Sequence, residues 1–113
     1  VVQPVSGAMP KARAAHSATL VGSRLFVFGG ESQDGRLNDV WVLDTDTMHW
    51  TEAVTSGVPP SGRSGHTTEV QGAWLVVFGG WDGDRHLQDT YLLHTERLEW
   101  VRPAAPAEGG GTG

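Results

Sequence analysis

Leu25-Phe-Val-Phe28 and Leu75-Val-Val-Phe78 are continuous apolar runs, and each leads directly into a Gly-Gly pair. Runs of this length, with no polar alternation, predict strands covered on both faces. Before the first run, His16–Val21 alternates small, polar and apolar residues after a turn rich in Pro and Gly, which predicts a preceding strand. After it, Val40-Trp-Val-Leu-Asp44 predicts a third strand, matched by Thr90–His94, and a fourth surrounds Trp50 and Trp100. Gly22 and Gly72 mark turns between strands one and two, while Asp44-Thr-Asp-Thr and His94-Thr-Glu-Arg mark hairpins between three and four. Helix is a poor alternative, because no stretch of ten or more residues has a 3.6-residue apolar period free of Gly and Pro.

The two runs belong to a longer repetition. Pro10, Arg13, His16, Gly29, Gly30, Leu37, Asp39 and Trp50 return 50 positions later as Pro60, Arg63, His66, Gly79, Gly80, Leu87, Asp89 and Trp100. At that offset 17 of 50 positions are identical, so the chain is two copies of one structural unit. The first unit covers residues 1–50, with strands from about residue 16, and the second covers 51–103. Residues 104–113 are rich in Ala, Pro and Gly and read as a flexible tail. The chain opens at Val1, in the position that follows the closing Trp, as if cut from a longer protein at a repeat boundary. A small antiparallel sheet that is apolar on both faces must be sandwiched between neighbours, and radial stacking into a β-propeller achieves this.

Composition agrees with that architecture and narrows the function. Sixteen glycines and five tryptophans with 38% hydrophobic residues suit short strands and turns. A net charge of -5 argues against a nucleic-acid surface, which needs a basic footprint. No apolar run approaches a membrane span, and there is no signal-peptide pattern. The absence of cysteine excludes disulfides, thiolate metal sites and cysteine nucleophiles within the chain, and fits a reducing, cytoplasmic or nuclear, location.

The words Arg13…His16…Gly29-Gly30…Asp39-Val-Trp…Trp50, repeated as Arg63…His66…Gly79-Gly80…Asp89-Thr-Tyr…Trp100, resemble the kelch family over residues 8–102. The resemblance implies an all-β fold of two four-stranded antiparallel blades, with the first strand at the central channel and the fourth outermost. Propellers of this type usually carry about five to seven blades. Two blades would leave two apolar faces exposed. At about 25 cal/mol per Å² that forfeits several kcal/mol, comparable with the stability of a small domain. Completion is therefore expected, either by a homo-oligomer or by further repeats of a parent protein. The family also implies a protein-interaction scaffold that binds a protein or peptide, acidic ones included, through loops on one face. The alternatives are a propeller enzyme of the sugar-epimerase kind and an inert assembly fragment. A copper-radical oxidase is closed to this chain, which has no Cys and one Tyr, Tyr91. No cofactor is expected.

Individual residues fall into two groups. Gly29-Gly30 and Gly79-Gly80 lack the Lys-Ser/Thr of a phosphate loop, and are expected to turn the chain where a neighbouring Trp packs closely. His16 and His66 are expected to make a repeated structural hydrogen bond rather than bind metal, since no carboxylate sits at ligand spacing. Asp39 and Asp89 are expected to cap loops through backbone N–H groups, and Trp50 and Trp100 to pack. The second group is the eight-residue loops, equal in length but different in chemistry: Glu31, Ser32, Asp34 and Arg36 against Trp81, Asp82, Asp84, Arg85 and His86. Variable loops on a rigid scaffold are where partner contacts are expected. For Trp81 a binding hot spot and a fold-back onto the blade both remain open. By resemblance, Arg13 and Arg63 would point into the mouth and grip acidic side chains. The structural alternative is a salt bridge to the Asp of the next repeat.

Overall fold

The computed structural model describes residues 9–103. Those residues form ten strands and no helix. The tail at 104–113, and residues 1–8 of the first unit, lie outside the described residues. The first sheet contains β1 (Ser17–Val21), β2 (Arg24–Phe28), β5 (Val40–Asp44) and β6 (His49–Glu52), hydrogen-bonded in that order. The second contains β7 (Thr67–Gln71), β8 (Trp74–Trp81), β9 (His86–His94) and β10 (Trp100–Val101), again in chain order. All pairs are antiparallel. Each unit is thus the four-stranded meander expected of one blade.

The turns repeat with different chemistry. Asp44 Oδ1 accepts from the amides of Asp46 and Thr47 at 2.9 and 3.2 Å, and His94 Nδ1 takes the same two bonds from Glu96 and Arg97. Met48 and Leu98 then take the left-handed conformation, at φ 57° and 54°. The loops expected after the glycines are more ordered than their polar composition implies. β3 (Glu31–Ser32) and β4 (Gly35–Arg36) form a small hairpin. In the second unit the same hairpin is continuous with the blade, because β8 and β9 run on past a register shift at Phe78/Gly80 to pair Trp81 with His86.

The core lies between the sheets, and each sheet contributes a different face. Phe26, Phe28 and Val40 of the first pack against Leu75, Val77, Tyr91, Leu93 and Trp100 of the second. In the repeat, Phe26 and Phe28 correspond to Val76 and Phe78, which alternate onto the opposite side of β8 from Leu75 and Val77. The contact is therefore heterologous, back of one unit to front of the next, a geometry that continues into rings or filaments. Thr19 and Thr68 add a hydroxyl–hydroxyl bond of 2.5 Å between β1 and β7.

Two bare apolar faces were expected, and the described residues of the two outward sides differ in exposure. On the outward side of the first sheet, Val27, Trp41 and Leu43 are buried. On the outward side of the second, Phe78 is 49% exposed, whereas its equivalent Phe28 is 0% exposed.

Candidate functional site

The conspicuous chemistry sits at the end of the sheets where β1 and β7 begin and the two hairpins project. Arg13 and Arg63 organise this end from within. The Arg63 guanidinium donates to Asp89 Oδ1 and Oδ2 at 2.5 and 3.1 Å, and to the Gly79 carbonyl at 3.1 Å. Arg13 repeats the pattern on Asp39, at 2.6 and 3.0 Å, and on Gly29 at 3.0 Å. A planar guanidinium suits this two-point grip on a carboxylate. Its side chain is 0% exposed in Arg63 and 4% in Arg13.

Both expectations for these arginines are corrected. The forks face inward and are engaged by protein acceptors, so they do not line an open mouth. The ion pair is made inside each unit, not to the next repeat. The aspartates correspondingly bind side chains: besides Arg13, Asp39 accepts the Trp41 indole N–H at 3.0 Å. Burial raises the Asp39 carboxyl, but the bonds from Arg13 and Trp41 outweigh it and hold the group below the usual carboxylate range. Asp89 is held low chiefly by its bond to Arg63. Carboxylates kept ionised in this way are unsuited to serve as general acids. A charged pair recurring at constant spacing, 13/39 and 63/89, was the signal for this contact in the sequence.

His66 and the glycines form the second device. His66 is buried, and its Nε2 lies 3.0 Å from both the Phe28 carbonyl and Ser17 Oγ of the preceding unit. A carbonyl only accepts, so Nε2 carries the proton and Nδ1 is bare; Nδ1 is buried without a partner. A Cβ placed on Gly29, at φ 70°, would stand 2.7 Å from His66 Cε1. One on Gly30 would stand 2.9 Å from both the Ala14 carbonyl oxygen and His16 Cβ. The glycines thus make room for histidine and backbone rather than for tryptophan. His16 occupies the same place in the first unit but is exposed. Trp100 packs on Phe28 and Tyr91, at 5.3 and 6.3 Å between ring centroids, while Trp50 is half-buried.

The hairpin residues form the accessible surface. Asp82 Oδ1 accepts from the amides of Asp84 and Arg85, both at 2.8 Å, which holds it below the usual carboxylate range and shapes the tip. Asp84, Arg85 and His86 are exposed there. Trp81 is half-buried, with its ring 4.8 Å from that of His86 and its backbone bonded to Ser64. In the first hairpin Ser32 Oγ accepts from the Asp34 amide at 3.1 Å, Asp34 pairs with Lys11 at 2.5 Å, and Glu31 lies 3.5 Å from Arg36. Arg36 joins the two loops: its Nη1 lies 3.0 Å from where a Cβ on Gly83 would be. Asn38 ties the same region to the Pro60 carbonyl at 3.0 Å. Arg36 and Asn38 recur as His86 and Gln88, a pattern that names no target for either side chain, and only the folded arrangement reveals these links. Among the described residues, no group of three or more His, Asp or Glu is placed to hold a metal ion. Nor is any helix among them long and apolar enough to cross a membrane.

Comparison with known proteins follows the same outline. The family model described as the KLHDC2/KLHL20/DRC7 Kelch-repeats domain matches residues 2–110. Kelch domain-containing protein 2 of Bos taurus is 45% identical over 53 residues, which are 46% of this chain and 13% of that protein. Kelch domain-containing protein 3 of Homo sapiens is 49% identical over 49 residues, 42% of this chain and 13% of that protein. Tip elongation aberrant protein 3 of Schizosaccharomyces pombe is 46% identical over 43 residues, 38% of this chain and 4% of that protein. Each match spans 13% or less of the relative's own length.

Proposed function

This chain belongs to the kelch-repeat family, and from that premise we propose that it is part of a β-propeller scaffold that holds a protein partner on its hairpin face. The observation that carries this reading is the junction of the two divergent hairpins. Arg36 lies against Gly83, so Glu31–Arg36 and Trp81–His86 present one continuous surface. The β-ladders and the buried Arg–Asp pairs beneath hold that surface rigid, which lowers the ordering cost of binding. Its chemistry is mixed: exposed Lys11 and Arg85 alternate with Glu31, Asp34 and Asp84, around half-buried Trp81 and exposed His86. A partner with both charge signs and one apolar contact fits better than a uniformly acidic one, because Arg13 and Arg63 are engaged internally.

A peptide array probed with the wild-type chain tests this reading. A double charge reversal, Asp84→Lys with Arg85→Glu, is expected to abolish capture of the bound peptides at unchanged melting temperature. A control substitution at Asp46, in the turn at the opposite end, is expected to leave capture intact. Equal capture by all three proteins would refute the hairpin face as the site.

A further inference from the structure

We propose that Asp34 is a modification site: its bond to Gly35 converts spontaneously to an isoaspartyl linkage, which lengthens the first hairpin and alters the hairpin face. The chemistry stands on the two hairpin tips alone, and only its effect on a partner rests on the reading above.

Two Asp-Gly steps occur in the chain, Asp34-Gly35 and Asp82-Gly83, one in each hairpin. Glycine lacks a Cβ that would shield its amide, so the preceding carboxyl can fold back onto it. The Gly35 nitrogen attacks Cγ of the protonated Asp34 carboxyl. The amide proton and the carboxyl hydroxyl leave as water, and a five-membered succinimide closes. Water then adds back to one of the two ring carbonyls. Addition on the side-chain carbonyl restores aspartate. Addition on the main-chain carbonyl leaves the chain running through Cβ and Cγ, one methylene longer, with the former main-chain carbonyl as a free carboxylate. Nothing is oxidised, and the final mass is unchanged.

The structure separates the two steps in three ways. The Asp82 carboxylate is anchored to main chain, because its Oδ1 accepts from the amides of Asp84 and Arg85, both at 2.8 Å. Asp34 holds only Lys11, and the two side chains are 68% and 55% exposed, so that pair breaks readily. The space at the glycines differs as well. A Cβ on Gly35 would meet nothing within 4 Å, whereas one on Gly83 would stand 3.0 Å from Arg36 Nη1. Room for a new ring therefore exists at the first tip and not at the second. The ladders differ last. β3 and β4 are two residues each and form a sheet of their own, whereas Trp81 and His86 pair as a continuation of the four-stranded second sheet. The short ladder opens at low cost and frees the Gly35 amide.

The added methylene falls where chain length sets register. Ser32 pairs with Gly35 and Glu31 with Arg36 across this turn, and the Ser32 hydroxyl donates to the Gly35 carbonyl at 3.3 Å. A longer main chain between residues 34 and 35 disrupts both pairs. Arg36 moves with them, and Arg36 is the residue that lies against Gly83. Slow conversion at one tip thus changes the junction of the two hairpins. Lys11 acts as a brake, since its ammonium keeps the Asp34 carboxyl ionised and the protonated form is the one attacked.

The whole chain held at 37 °C and about pH 6, then mapped by mass spectrometry with fragmentation that distinguishes the iso linkage, tests this. Isoaspartate is expected at Asp34, with conversion at Asp82 slower by about ten-fold or more, because two bonds to a charged acceptor must first be released there. Lys11→Ala is expected to speed conversion at Asp34 about two- to five-fold. Asp34→Glu, which would have to close a six-membered ring, is expected to abolish it. Conversion at Asp82 as fast as at Asp34, or no product at Asp34, would overturn the proposal. The aged wild-type chain is then compared with aged Asp34→Glu on the peptide array. Loss of capture by the first alone is the expected result. Isoaspartate at Asp34 with capture intact would uphold the modification site and count against the hairpin face as the partner surface.

Discussion

His66 reaches across the boundary between the two units and places its Nε2 3.0 Å from the carbonyl oxygen of Phe28, a residue 38 positions earlier. The same histidine in the first unit, His16, is exposed. Two copies of one word thus have different energetic weights, set by whether a neighbour stands in front of them.

That asymmetry gives the first prediction. His66→Ala leaves the Phe28 carbonyl without its donor and opens a void over Gly29, for an expected loss of about 2–3 kcal/mol. His16→Ala, at an exposed position, is expected to stay within about 0.5 kcal/mol of wild type. Urea titration of both variants measures this, and equal losses would contradict an inter-unit role for His66.

The fold also becomes sensitive to acid. Burial is the main influence on His66 and lowers its pKa below 6.5, reinforced by the charges of Arg63 and His16 and opposed by the bond to Phe28. Protonation would place a donor on the buried, unpartnered Nδ1. Since the folded pKa lies below the unfolded one, the contribution is full above pH 6.5 and is lost as pH falls through the folded value. The slope is at most about 1.4 kcal/mol per pH unit for one proton. Asp39 and Asp89 are also lowered, from 3.8, and remove stability in the same direction below that pH. Denaturation curves from pH 7.5 to 3 should show two descending stages, and His66→Asn should flatten the upper one.

Glycine substitution separates backbone strain from crowding. Gly29 and Gly79 share φ 70°, so alanine at either carries the same left-handed penalty, about 1–2 kcal/mol. Only at Gly29 does the new methyl meet His66, at 2.7 Å. Gly29→Ala is expected to be worse than Gly79→Ala by about 1–2 kcal/mol. A Gly29→Ala/His66→Ala double mutant should recover that excess in a double-mutant cycle.

The buried arginine offers a sharper test of structure against recognition. Arg63→Ala strands Asp89 and the Gly79 carbonyl, with an expected loss of about 3–5 kcal/mol. Arg63→Lys is expected to rescue little, because an ammonium cannot reproduce the two-point grip. Arg13→Ala should cost less, since Asp39 retains the Trp41 indole. Thermal melts read this directly. An Arg63→Ala protein that melts like wild type would show the side chain to be dispensable for the fold.

Much of this arrangement was legible in the chain. The eight blade strands, their hairpin order and the duplication followed from apolar runs, turn residues and a strict period of 50. The candidate surface was legible as the two loops of equal length and unequal chemistry. The target of each polar side chain was not. Asp39 suits a loop cap as well as a guanidinium, and the choice of Arg13 depends on β1 and β5 both starting at the same end of the sheet, on either side of β2. The hairpin ladder Trp81–His86 was hidden because its residues are polar, and its pairing comes from continuation of β8 and β9.

By itself the sequence determined the unit: local alternation and turn chemistry act over a few residues, and the repeat makes them consistent twice. Only the tertiary structure decided how the units face each other. Leu-Phe-Val-Phe is apolar on both sides, so nothing in the run distinguishes the side that meets a neighbour from the side that meets solvent. That choice rests on contacts between distant residues. Phe28 is sealed by His66 and Trp100, and Phe78, alike in every local respect, remains open.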